Sequence, residues 1–136
     1  MDILNENQIS DLFAKAQISL RKRAHLNLHK SYDEKVQRLL IALIEGSYVE
    51  PHFHELDHQW EMFTVLSGVI EVTLYYESGK VKYQTYAGEN QVTSLIQLNP
   101  GEIHSIKCIS DTALLLEVKE GPFSPDKAKV FPSFNV

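Results

Sequence analysis

Half of the chain's six histidines, His52, His54 and His58, fall within "PHFHELDHQWE", and the stretch ends on Glu61, which opens the apolar run "EMFTVLSG". Imidazoles and a carboxylate are the groups that hold first-row divalent ions. His52 and His54 are separated by one residue. On extended backbone alternate side chains share a face, about 7 Å apart, so both can reach one ion. On a helix the same spacing would turn them apart, and Pro51 disfavours a helix interior here. Glu61 shares a strand face with Phe63 and Val65, where an ionised carboxylate is costly unless a cation compensates it.

The fourth candidate, His104, follows a turn in "LNPGEIH". Pro100 fixes φ and Gly101 takes the left-handed position, and His104 then starts the strand "HSIKCIS". Three neutral imidazoles and one carboxylate suit Zn, Fe, Mn, Ni or Co and leave positions open for water or a ligand. The expectation is one divalent transition metal on His52, His54, Glu61 and His104. Cys108, four residues beyond His104 on the same face, reads either as a group beside the metal or as a small buried hydrophobe. His58 lies in the loop before Glu61 and reads as solvent-exposed.

The elements that must position these residues are short. Ile9, Leu12, Phe13, Ala16 and Leu20 recur near helical spacing with Asn and Ser nearby as caps, which predicts an amphipathic helix over 5–20. "AHLNLHKSY" reads as irregular. "VQRLLIALIEG" is ambiguous: Val36, Leu39, Leu40 and Leu43 fit a helix, while its length fits a buried strand. After Gly46 come "EMFTVLSG", "VIEVTLYYESG", "KVKYQTY", "VTSLIQLNPG", "IHSIKCIS" and "TALLLEVKEG", separated by Gly, Pro, Ser and Asn. Such runs at roughly ten-residue spacing predict an antiparallel sandwich or barrel. A hairpin turn is expected at Ser78-Gly79. The tail "GPFSPDKAKVFPSFNV" reads as an extended strap over the sheet, because its phenylalanines are costly to leave exposed.

Composition narrows the partners. At 136 residues with 43% hydrophobic content, the chain has the length and apolar content of one globular domain. A net charge of −5 argues against nonspecific nucleic-acid binding. One cysteine, no apolar stretch long enough to cross a membrane and no signal-like N-terminus lead to the expectation of a cytoplasmic protein. From Leu12 to Tyr32 there is no Asp or Glu, yet Lys15, Arg21, Lys22, Arg23 and Lys30 all lie there. That run reads either as a solvated helix end or as a patch for an anionic ligand.

"GSYVEPHFH…E…G" from Gly46 to Gly68 resembles the first cupin motif, and "PGEIH" resembles the second. "NLHKSYDEKVQRLLIALIEGSYVEPHFH" and "EVKEGPFSPDK" resemble the WbuC family of cupin-fold metalloproteins over about Arg21 to Lys127. The resemblance implies a mainly β fold, the cupin double-stranded β-helix (a small antiparallel barrel or jelly roll), with an N-terminal α-helix. It implies a strand at "VQRLLIAL", with residues 1–32 packing as helix and basic segment on a barrel formed by 33–136. It implies the same four ligands and a cavity lined by Arg23, Asn27, His29, Gln37, Arg38 and Lys119. An equal reading is that these residues bond the N-terminal segment to the barrel. The sequence departs from the pattern in a longer gap between His54 and Glu61, in Asn99 where proline is usual, and in Cys108 where asparagine is usual. The longer gap leaves Glu55, Asp57 or His58 as substitutes for Glu61.

Two functions follow. As an enzyme, the WbuC resemblance implies a sugar or sugar-nucleotide substrate in polysaccharide (O-antigen) biosynthesis, with metal-assisted isomerase-type or lyase-type chemistry. The alternative is a metal-dependent binding or sensing module without turnover. A dication with one carboxylate keeps net charge +1, so the expected small-molecule ligand is anionic or a carbohydrate. A homodimer is the expected assembly.

Overall fold

The N-terminal helix forms as α1 (Glu6–Ile18) in the computed structural model, which describes residues 1–134. Asn5 caps it: its side chain accepts from the Gln8 N–H at 3.1 Å, and the Gln8 side chain accepts from the Asn5 N–H at 3.0 Å. Two of the orphan amide donors at the helix start are thus satisfied reciprocally. Leu12 and Ala16 form the buried face, packed with Leu40, Ala42 and Leu114.

The next segment corrects the sequence reading. "AHLNLHKSY" is not wholly irregular, because β1 (Arg23–Asn27) is a strand paired antiparallel with β2 (Val36–Ile44), from Arg23 opposite Leu43 to Asn27 opposite Leu39. Ala24 and Leu26 pack towards α1, which supplies the alternation a strand needs. In β2 both faces are covered. Leu39, Ile41 and Leu43 enter the main core, whereas Leu40 and Ala42 meet the helix layer. A strand buried on both sides reads as a continuous apolar run, which explains its helical look.

Seven further strands follow: β3 (Tyr48–His52), β4 (Glu61–Ser67), β5 (Val69–Tyr75), β6 (Val81–Gly88), β7 (Leu95–Leu98), β8 (Ile103–Cys108) and β9 (Thr112–Glu120). They and the first two make a five-stranded sheet, β1-β2-β9-β4-β7, and a four-stranded sheet, β3-β8-β5-β6, with every named pairing antiparallel. The core between them draws Leu39, Ile41, Phe63 and Leu115 from one sheet and Ile70, Val72 and Ile106 from the other. Each such side chain contributes about 1.5–3 kcal/mol on burial. The turn between β4 and β5 requires glycine: Gly68 has φ +75°, and a Cβ there would lie 2.1 Å from the Thr112 carbonyl oxygen.

Beyond β9 the chain makes a single 3₁₀ turn, Pro125–Lys127, and runs back across the molecule. Phe53 and Val130 exchange backbone hydrogen bonds at 2.9 and 2.8 Å, and the Phe134 ring stands 5.7 Å from that of Tyr75. The final residues of the tail, Asn135 and Val136, lie outside the described residues. No helix among the described residues is long and apolar enough to cross a membrane.

Candidate metal centre

His52 closes β3 and stands opposite His104 of β8. The register shifts between Val49 and His52, around Pro51. β3 is an edge strand, so the proline removes no hydrogen bond that an interior strand would need, and the bulge re-aims His52. The Asn99–Glu102 turn delivers His104: the Glu102 N–H donates to the Asn99 carbonyl at 3.2 Å, and Gly101 has φ +84°. The Gly101 N–H also donates to the His54 carbonyl at 2.8 Å, so this turn is tied directly to the backbone of another candidate ligand.

The other two groups come from different surroundings. Glu61 starts β4, between Leu98 of β7 and Lys119 of β9, and is only 5% exposed. The long gap before it is taken up by a turn in which Leu56 and Gln59 bond each other. Glu55 and Asp57 are exposed, and neither they nor His58 joins the cluster. One ligand atom from each of His52, His54, Glu61 and His104 lies within 4.8 Å of the others.

Hydrogen bonds fix which imidazole nitrogen faces inward. Nδ1 of His52 donates to the Glu50 carbonyl at 2.9 Å, Nδ1 of His54 to the Ala128 carbonyl at 2.6 Å, and Nδ1 of His104 to the Glu102 carbonyl at 2.9 Å. A carbonyl can only accept, so each Nδ1 carries the proton and each neutral ring turns an Nε2 lone pair towards the centre. Those nitrogens meet a carboxylate that is itself an acceptor: Glu61 Oε1 lies 3.0 Å from His104 Nε2 and 3.2 Å from His54 Nε2. The 3.2 Å approach lacks hydrogen-bond geometry and leaves His54 Nε2 as a buried nitrogen with no hydrogen-bond partner among the described residues. Converging acceptors repel unless a proton or a cation lies among them. The donor set therefore fits one divalent transition-metal ion held by nitrogen and oxygen, with carbonyl groups behind the imidazoles as outer partners.

The electrostatics show the same demand for positive charge at the centre, which imidazolium protons meet where no ion does. Burial alone would raise the Glu61 carboxyl, but its contacts with His104 and His54 outweigh this and hold it well below the usual range. For His54 burial pulls down and Glu61 more than compensates, so the net shift is upward. His52 is lowered to about 4 by burial and then by His104.

His52, His54 and Glu61 of the cluster form one wall of a cavity of about 230 Å³. Arg23 and Lys119 line it, but the other suggested pocket residues do not. Gln37 faces inward, yet its amide donates to the carbonyls of Ser31, Tyr32 and Glu34 and so closes that loop. Nδ1 of His29 accepts from the Arg38 N–H at 2.9 Å, which binds the segment before β2 to β2 itself. Arg38 lies on the face of Leu40 and Ala42, away from the barrel interior, with Glu34 at 3.7 Å. Asn27 is exposed. Cys108 is a core side chain, 2% exposed, whose Sγ meets the Ser110 carbonyl at 3.3 Å, and burial raises its thiol pKa.

Residues the sequence reading passed over are also there. His25 of β1, Lys129 of the tail and Glu117 of β9 line the cavity. Glu117 is 6% exposed, with Lys119 Nζ at 3.6 Å. Burial, and after it the charge of Glu61, pushes Glu117 up to about 8, while a dication at Glu61 would act in the opposite sense. Its signal was in "LLLEVKE", where Glu117 and Lys119 interrupt the inward face that Leu115 begins.

Comparison with known proteins places this geometry. No curated protein matches the chain. Among solved structures, oxalate decarboxylase from Bacillus subtilis is 23% identical with a TM-score of 0.60, over 82% of this chain and 28% of that one. The capsular polysaccharide assembling protein CapF from Staphylococcus aureus is 18% identical with a TM-score of 0.68, over 86% and 33%. A conserved protein of unknown function from Streptococcus pyogenes is 17% identical with a TM-score of 0.60, over 90% of both chains. The chain thus spans about a third or less of the first two, and the likeness shows the fold alone: the cupin fold, mainly β, with one N-terminal helix. The family is shown by a match over residues 4–86, and the chain belongs to the domain of unknown function DUF6016.

Proposed function

We propose that this chain is a metal-dependent cupin that binds a small anionic or carbohydrate ligand at an ion held by His52, His54, Glu61 and His104. The observation that carries the proposal is the common tautomer: three Nδ1 donors tied to carbonyls leave three Nε2 lone pairs and one carboxylate converging within 4.8 Å. When bound, a divalent ion would supply a Lewis acid that polarises a carbonyl or hydroxyl oxygen. Glu117 and Lys119, inward on β9, offer a carboxyl group and an ammonium beside it. Those two groups favour turnover over mere retention, and they suit proton transfer next to a carbonyl, as isomerase-type or lyase-type chemistry needs.

The substrate proposed is a sugar or sugar-nucleotide in polysaccharide (O-antigen) biosynthesis. Two supports are the WbuC resemblance and the fold shared with CapF, which is described as assembling capsular polysaccharide. Manganese enters the candidate ions through the decarboxylase of similar fold, which is described with Mn(II) centres. A cytoplasmic location and a homodimer belong to the same proposal, the latter tested by light scattering.

Elemental analysis of protein purified without added metal tests the ligands. The expected result is about one ion per chain, lost in Glu61→Ala and in His104→Ala. Metal retained by both variants would defeat the assignment. Turnover is tested by NMR with keto sugars and nucleotide sugars, wild type against Glu117→Gln. Saturable binding without conversion of any of them would leave a binding module.

A further inference from the structure

Beside the metal cavity runs a second and larger groove of about 570 Å³. Among the described residues Arg21, Lys22, Arg23 and Lys129 line it, with Glu50 as the one acidic residue. Four cations less one carboxylate leave +3, in a chain whose net charge is −5. Among the described residues none of the four forms an ion pair with a carboxylate. They are also close enough to disturb one another. Lys129 is lowered by burial and then by Arg23 and Arg21, and Arg23 is lowered by burial and then by Arg21. Unpaired like charges held together cost stability, and an arrangement of that kind is relieved by a bound polyanion.

The groove is continuous with the metal cavity, since Arg21, Arg23, Val49 and Lys129 border both. Arg23 is anchored at the junction, where Nη1 donates to the Tyr48 carbonyl at 3.4 Å. Two aromatic rings stand in the groove wall with much of their surface open, Tyr48 at 43% and Phe131 at 55%. One phosphate carries about −1.5 to −2 at neutral pH, so a single monoester would leave part of the +3 uncompensated. Two linked phosphates match it more closely, and arginine forks suit their oxygens.

We infer that the groove holds the diphosphate of a nucleotide-like ligand on Arg21, Arg23 and Lys129, with its planar base against Tyr48 and Phe131 and its other end reaching the metal cavity. The last clause alone rests on the proposed metal function, and the anion site stands without it.

Calorimetric titration of EDTA-treated protein with pyrophosphate, UDP and uridine separates the two. Removing metal first prevents chelation from being read as binding, and circular dichroism verifies the fold of every sample. Pyrophosphate and UDP are expected to bind, UDP the tighter, and uridine far more weakly. In an Arg21→Ala/Lys129→Ala double variant, UDP affinity is expected to fall roughly tenfold or more. A rise from roughly 50 to roughly 300 mM salt should weaken UDP in wild type, and Lys15→Ala, on the helix, should change nothing. The inference is overturned if the double variant binds UDP as wild type does, or if wild type binds neither phosphate probe. UDP no tighter than pyrophosphate would overturn the base contact. Stoichiometric metal in the same preparation before EDTA shows that such a failure belongs to the groove and not to the metal site.

Discussion

The lone pairs in this centre are directed by backbone, not by other side chains. Glu50, Ala128 and Glu102 each contribute a carbonyl, so the tautomer of all three histidines survives any substitution at those positions that keeps the backbone in place. His25 is the contrasting imidazole. It sits at the rim, and desolvation followed by the charges of Arg21, Arg23, Lys119 and Lys129 lowers it to about 4. Part of the residue remains open to solvent, so the charges are the component to test. A folded-state value below the unfolded 6.5 means that the unfolded chain takes up the proton first on acidification. Any stability His25 contributes is therefore complete above about pH 6.5 and is lost as pH falls towards 4. An NMR titration of the His25 ring should give a midpoint near 4 in wild type and a higher one in Arg21→Ala. Identical midpoints would mean that the cationic rim does not act on His25.

At the scale of elements, the strap was legible only in part. Its prolines and phenylalanines indicate an extended covering segment, but nothing in "PDKAKVF" indicates that the Ala128 carbonyl accepts from His54. Backbone carbonyls are the same in every residue, so sequence leaves no mark of which one is used. The four converging residues were legible because chemistry restricts metal-holding groups to few residue types and strand spacing restricts their direction. Gln37 and Arg38 stayed between two readings, cavity lining and bonding of the N-terminal segment, for a related reason. In β2 the face of each residue is set by the pairing with β9, Gln37 opposite Lys119 and Arg38 opposite Val118, and a run apolar on both faces hides that register. The strap's role predicts a partial effect. Ending the chain at Lys127 removes the Ala128 carbonyl and the Phe53–Val130 bridge but none of the four ligands. Metal affinity should drop roughly 10–100-fold, the range for loss of an outer partner of a metal-bound histidine, while far-ultraviolet circular dichroism keeps its β signature. Competition against a chromogenic chelator measures the drop, and an unchanged affinity would remove the strap from the site.

Across the whole molecule, the centre joins parts that the backbone leaves unjoined. His52 and His104 belong to the four-stranded sheet, Glu61 belongs to the five-stranded sheet, and His54 is reached by the tail. Among the described residues β3 is an edge strand paired with β8 alone, and the cavity opens between it and the sheet of β1 and β2. A bound ion therefore acts as a clip between sheets that otherwise meet through apolar packing. Ligands assembled from three separate stretches of chain come together only in the folded state, so the ion binds the folded form in preference to the unfolded one. Its stabilisation then follows mass action, about 2.7 kcal/mol at a free concentration one hundred times Kd. For a domain of this size that corresponds to a rise in Tm of roughly 5–10 °C. EDTA should reverse the rise, and Glu61→Ala should show none, because it unfastens one sheet from the other. Scanning calorimetry with and without added Mn or Zn measures this directly. If the variant rises as far as wild type, the ion is stabilising some other surface, and the two sheets are held by their apolar core alone.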